Sequence, residues 1–183
     1  NREISLQRGN VIMEDNFGIC SMAETDDNLL MWAHYAYDHK GFCVGFDTRE
    51  IASFSQENYL NTLNFLDCYP VTYHNEFPYI DGLRWSDSKK IISKLTAKGE
   101  QWRYEREWRL VLWSDIIRRG KLRKEERLVA FKEEAVKSIT LGYRIPAEHQ
   151  DEILRIRDKN FPEVAVYVVK ASELAFRLNR VIL

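Results

Sequence analysis

The sequence predicts an α+β fold, with a mixed, largely antiparallel sheet and a few flanking helices. Three observations lead there. Short apolar runs of strand character outnumber the helical stretches. The helices do not alternate regularly with the strands, as a doubly wound parallel sheet would require. The segment Trp102 to Arg109 places apolar and charged residues on alternate positions, the period of a strand with two unlike faces. A length of 183 residues suits one domain spanning 1–183. A hydrophobic content of 45% allows a sizeable core, and 13% aromatics argue against disorder.

Residues 1–14 form a polar lead with helical character. Phe17 to Ala23 reads as a buried strand. A helix is expected from about Asp27 to His39, capped by Thr25 or Asp26, with acidic side chains in its first turn. His39, Lys40 and Gly41 should close it through a left-handed cap. Gly41 to Asp47 reads as a strand, and residues 50–66 are ambiguous, with helix the nearer reading. Cys68 to Tyr73 reads as a strand, edge or bulged because of Pro70. Residues 75–86, with Pro78 and Gly82, read as a loop. A helix from Ser88 to about Gly99 should lead into the Trp102 strand. Short strands are expected at Arg127 to Phe131 and Val136 to Leu141. Pro146 should open a helix from Ala147 to Lys159, with Ile153, Leu154 and Ile156 inward. Val164 to Val169 and Ala175 to Ile182 close the chain as strands.

Composition narrows the function classes. A net charge of −1 offers no global basic field, so general nucleic-acid binding is not expected. The local basic run Arg118 to Lys124 is followed at once by Glu125 and Glu126 and reads as a solvated turn. Three cysteines, Cys20, Cys43 and Cys68, all in apolar strand-like runs, suit a reducing cytoplasm better than a disulfide scaffold. No apolar run approaches the ~20 residues that span a bilayer, so no membrane partner is expected. His34 and His39 are five apart, and the CxxC and HExxH patterns are missing, so no metal is expected. Neither a nucleophile elbow nor a phosphate-binding glycine loop is present.

Two segments carry candidate site residues. In the Trp102 strand, Tyr104, Arg106, Trp108, Leu110 and Leu112 should share one face, with Arg103, Glu105, Glu107, Arg109 and Val111 on the other. The charged face reads either as a solvated surface whose charges cancel or as a catalytic or ligand-holding pair, Glu105 and Glu107, beside Arg109. In the first helix, Leu29, Trp32, Ala33 and Ala36 form an apolar stripe. His34 with Asp38, and Tyr35 with His39, should each share a face. His34 reads either as a structural histidine or, with Tyr35, as the border of a cleft holding a polar ligand.

These residues resemble a bacterial family described only as domain of unknown function 2971. The resemblance rests on Cys20-Ser21-Met22, Asp27-Asn28, Met31-Trp32, His34-Tyr35, His39-Lys40-Gly41-Phe42-Cys43 with Phe46, the segment Trp102 to Arg109, and Gly142. It implies that family members carry an earlier portion, with a Tyr/Arg-containing strand, which this chain is expected to lack. The family name implies no activity. By fold-level analogy, the order of residues suggests an ADP-ribosyltransferase-like site with NAD as substrate. Such enzymes hold NAD with an arginine or histidine on an early strand, which this chain is expected to lack, a Ser-x-Ser-like or tyrosine element on the next, and a Glu-x-Glu at the start of a late one. Ser21 and Glu105-Arg106-Glu107 stand here in that order. Cleaving the nicotinamide–ribose bond builds an oxocarbenium-like cation that a carboxylate stabilises. Glu107 and Glu105 are the catalytic candidates. Ser21, Trp32, His34, Tyr35, Tyr104 and Arg109 are the ligand-binding candidates. The pattern departs from the analogy at Ala23, where a second serine would stand. On this reading Glu107→Gln should abolish nicotinamide release with the Tm nearly unchanged. The alternative is a non-catalytic ligand-binding or sensing module, of use in stress or phage defence. A third reading, metal-assisted hydrolysis of a nucleotide, needs a compact ligand cluster that the sequence does not offer.

Overall fold

The computed structural model describes residues 17–51, 64–78, 87–114 and 124–183. In order come strand β1 (Phe17–Ala23), helix α1 (Leu29–Tyr35), strands β2 (Phe42–Phe46), β3 (Asn64–Pro70) and β4 (Thr72–His74), and helix α2 (Asp87–Leu95). Strands β5 (Ala97–Gly99), β6 (Glu107–Ser114) and β7 (Val136–Leu141) follow, then helix α3 (Ala147–Asn160) and strands β8 (Ala165–Ala171) and β9 (Leu178–Ile182). The class is α+β with mixed, largely antiparallel pairing, as expected. Backbone proximity groups the described residues into two compact units, one holding residues 17–22, 51, 64–78, 87–114 and 124–131, the other residues 23–50 and 132–183.

The first unit holds a sheet of order β1-β6-β3 and a parallel pair, β4 with β5. Strand β3 runs antiparallel to β6 from Asn64 opposite Ser114 to Pro70 opposite Trp108. Pro70 thus ends an edge strand, where a missing N–H costs least. The chain then changes partner: the Val71 amide donates to the Glu107 carbonyl, and the Thr72 amide to that of Thr96. That exchange splits the expected strand Cys68–Tyr73 in two. Phe17, Leu95 and Val111 form the core here, with Tyr69 and Ile91 against them.

The second unit holds a sheet of order β2-β7-β8-β9. The crossover through α3 makes β7 and β8 parallel, and the two outer pairs are antiparallel. Val136, Ile139, Leu141, Val164 and Val166 form its core, and α3 contributes Ile153 and Leu154. Ile156, expected inward, is exposed.

Several local expectations are corrected. Helix α1 is shorter than the span Asp27–His39. Asn28, not Thr25 or Asp26, caps it, its Oδ1 accepting from the amides of Leu30 (2.9 Å) and Met31 (3.3 Å), and no acidic residue lies in the first turn. Asp26 serves elsewhere, accepting from the Thr140 hydroxyl at 2.5 Å and pairing with Arg180 at 3.1 Å. The left-handed residues after the helix are Tyr37, Asp38 and His39, not Gly41. The helix therefore ends before the His34–Asp38 and Tyr35–His39 spacings can share a face. Strand β1 is mostly exposed rather than buried, and Cys20 with it. Helix α2 stops at Leu95 because residues 97–99 pair with β4. Leu128 to Phe131 forms no strand; a single 3-10 turn, Glu125–Arg127, precedes it. Residues 1–14, 52–63, 79–86 and 118–123, on which other expectations fall, lie outside the described residues.

Candidate functional site

The segment read as the start of a two-faced strand is a 3-10 helix, Glu100–Glu105, followed by a kink and then β6. Gly99 precedes it in an extended conformation, and Glu100 and Arg103 pair across one turn. That i,i+3 spacing is the sequence signal that favoured a turn over a strand. Arg106 takes a left-handed conformation (φ 46°, ψ 51°) and its amide donates to the Arg103 carbonyl. Such a backbone is uncommon for a residue with a Cβ. The kink swings the chain from turn to strand between the two glutamates.

The burial reverses what a solvated charged face would give. Glu105 and Glu107 are 4% and 5% exposed, whereas Trp108, expected in the core, is 37% exposed. Buried carboxylates require cations and donors, and Glu107 has both. Arg109 donates from Nε to Glu107 Oε1 at 2.7 Å, and from Nη2 to Oε2 at 3.3 Å. Lys98 Nζ donates to Glu107 Oε2 at 2.9 Å and also to Glu105 Oε2. Ser21 stands on β1, the strand beside β6, and helps to lower the Glu107 carboxyl. The Glu107 amide donates to the Tyr73 hydroxyl at 2.8 Å. Arg109 is itself held by the Leu95 carbonyl at the end of α2.

The electrostatics follow from those contacts. Burial works to raise the Glu107 carboxyl, but hydrogen bonds from Arg109, Ser21 and Lys98, with the Arg109 charge, outweigh it and bring the group down to about 2. Burial works against the Lys98 ammonium, and the two carboxylates overcome it, so its value is raised. Both groups are ionised at neutral pH. A carboxylate held so far below neutrality is a poor proton carrier. It is a fixed negative charge.

Aromatic side chains lie around the cluster. Lys98 Nζ sits 5.1 Å from the centroid of the Trp102 ring, which is 38% exposed. Tyr104 lies 6.1 Å from Trp102, ring to ring. Arg103 stands over Tyr73 at 5.4 Å. The structure thus brings together Ser21, Glu105, Glu107 and Arg109, with Tyr104 near them. Sequence reasoning missed Lys98 and Tyr73. No motif marks either.

The other candidates belong to the second unit. Trp32 is buried against Val169 and Leu178, and its indole N–H donates to the Asp26 carbonyl at 2.7 Å. His34 and Tyr35 are exposed at the end of α1, their rings 6.4 Å apart. Among the described residues, no group of three or more His, Cys, Asp or Glu could hold a metal ion, and no helix is long and apolar enough to cross a membrane.

No curated protein and no solved structure matches the chain. Residues 31–110 match the model of a family described as protein of unknown function, DUF2971. The chain therefore resembles the DUF2971 family, over a span from Met31 to Leu110 that includes Lys98, Glu105 and Glu107.

Proposed function

We propose that the first unit carries an ADP-ribosyltransferase-like site that cleaves NAD, with Glu107 as its anionic centre. The observation that supports this most is the placement of Glu107, buried at the start of β6 next to β1, the strand that carries Ser21. Those are the two residues that the analogy orders along the chain. In this reaction the ribose C1–nitrogen bond breaks, and nicotinamide leaves with the electron pair. The ribose carries the positive charge until a nucleophile adds at C1 and loses its proton. A carboxylate ionised throughout the physiological range stabilises that cation without having to move a proton. Trp102 and Tyr104 offer surfaces on which a planar base would stack.

The test is nicotinamide release from NAD by wild type and by Glu107→Gln, each checked for folding by circular dichroism. Release by wild type only supports the reading. Equal release by the two sinks it. The earlier expectation of an unchanged Tm no longer holds for this variant, because Glu107 is buried among three donors. Glu105→Gln, which keeps Glu107 with Arg109 and Ser21, is the companion variant and should lose less activity.

One observation favours a second reading, a non-catalytic module for a polar ligand. Lys98 and Arg109 already neutralise the carboxylates. On that reading NAD raises the Tm or leaves it alone, but no nicotinamide appears. Activity that depends on added magnesium or manganese would instead favour nucleotide hydrolysis.

A further inference from the structure

Lys98 holds an unusual position for an ammonium. One nitrogen meets Glu105 Oε2, Glu107 Oε2 at 2.9 Å, and the face of Trp102 at 5.1 Å. Two carboxylates and an indole face are the walls of a cation site. The lysine side chain is 23% exposed while each glutamate side chain is only 4% exposed, so Lys98 is the more exposed partner in both pairs. Arg109 approaches Glu107 through its own pair of nitrogens and leaves the Lys98 position to a separate cation. The Arg106 kink matters here, because it lets Glu105, at the end of the turn, and Glu107, on the strand, reach one point.

We propose that Glu105, Glu107 and Trp102 form a box for a monovalent organic cation, which Lys98 fills in the resting protein. A flat cation such as a pyridinium ring competes with Lys98 for that box. The identification of the pyridinium with the nicotinamide end of NAD rests on the reading above; the box itself does not. Lys98 then acts as an internal occupant that sets the affinity for outside cations. Neutral rings of the same shape gain only the stacking contact.

Chemical rescue tests this. In Lys98→Ala the walls remain and the occupant is gone, leaving adjacent buried carboxylates short of a cation. N-methylpyridinium or ethylammonium should raise the Tm of Lys98→Ala in a concentration-dependent way, by mass action on the folded state. Nicotinamide, which is uncharged, and sodium chloride at matched ionic strength should not. Trp102→Leu in the Lys98→Ala background should weaken the pyridinium response more than the ethylammonium response. No shift with either organic cation, or an equal shift with sodium chloride, overturns the proposal. Should Lys98→Ala fail to fold, the wild type answers instead. N-methylpyridinium should then speed amine labelling at Lys98, read by peptide mass spectrometry, and an unchanged rate overturns the box. The two readings fail separately: rescue without nicotinamide release leaves the box and removes NAD cleavage, and release without rescue does the reverse.

Discussion

The carboxylate cluster of the first unit and the turn after α1 in the second both hold polar groups away from water, by opposite means. Around Glu107 the backbone departs from the common regions only at Arg106, and the side chains do the holding, with an oxygen met by each of several donors. After α1 the backbone carries most of the structure, with an exposed Arg144–Asp38 ion pair beside it. Tyr37, Asp38 and His39 take φ values of 49°, 54° and 64° in succession. Such residues cost of order 1–3 kcal/mol each and persist only where their surroundings over-determine them. The His39 amide donates to the Trp32 carbonyl and the Gly41 amide to that of Ala36, while the His39 carbonyl accepts from Arg144. The His39 ring packs 4.7 Å from Tyr143, but its buried Nδ1 has no hydrogen-bond partner among the described residues. A charge network fixes where side chains sit and responds to the loss of a charge. A strained turn fixes the path of the chain and responds to the loss of space.

The largest effect should follow from breaking the charge network. Arg109→Met leaves Glu107 buried without its two-nitrogen partner, at a cost of about 3–5 kcal/mol. Urea unfolding measures it. The double variant Glu107→Met with Arg109→Met should recover much of that loss, because no lone charge remains. A single-variant loss below about 1 kcal/mol, the range of exposed pairs, would mean that water reaches the cluster. The pH dependence carries the same sign. The Glu107 carboxyl lies at about 2 in the folded chain against a usual 4.5. Its contribution is therefore complete above the usual value and is lost as pH falls through the interval towards the folded one.

Next in size is the turn. Gly142 donates its amide to the Gly41 carbonyl at 3.0 Å. A Cβ there would run into the His39 carbonyl, with its carbon only 2.7 Å away. These are backbone atoms of a turn already held by several hydrogen bonds, so they cannot give way cheaply. Gly142→Ala should cost about 1–3 kcal/mol, as overpacking does, and hydrogen exchange should locate the loss at residues 37–41. Protection lost equally throughout the second unit would show that the turn has no separate identity.

How much of this was legible beforehand follows the same division. The spans of strands such as β1, β2 and β7 were legible because their apolar runs are short and bounded by turn residues, although the exposure of β1 was not. Ser21, Glu105, Glu107 and Arg109 were read as candidates, and they meet. Their burial was not legible. A Glu-x-Glu between arginines looks like a surface, and only the fold reveals that Lys98 closes it from another strand. The αL turn escaped because no glycine or asparagine occupies Tyr37, Asp38 or His39. Gly142 did give a signal, but a glycine does not say which distant carbonyl needs its empty space.

A smaller effect belongs to the His39 imidazole. Burial pushes it below its ordinary value of 6.5, Asp38 opposes that, and Arg144 adds to it. The folded form therefore binds the proton less readily than the unfolded chain. Its contribution to stability is present above pH 6.5 and declines as pH falls through that value towards the folded one. His39→Asn, which tolerates the left-handed backbone, should remove this part of the pH dependence. A variant that loses stability between neutral and mildly acid pH as steeply as wild type would assign the titration to another group.

The smallest effect isolates burial itself. Arg155 and Glu152 on α3 form a two-nitrogen pair much like that of Arg109 and Glu107. Arg155 Nε lies 3.1 Å from Glu152 Oε2 and Nη2 lies 2.7 Å from Oε1, against 2.7 and 3.3 Å in the buried pair. Donor groups, acceptor groups and distances are nearly matched. The side chains are 69% and 53% exposed in one pair, and 17% and 4% in the other. Arg155→Ala should leave the unfolding midpoint within experimental scatter, since water replaces the lost partner and salt already screens the charge. If Arg155→Ala and Arg109→Met cost the same, the geometry of the pair would govern its strength. A large difference assigns the cost to the carboxylate that water cannot reach.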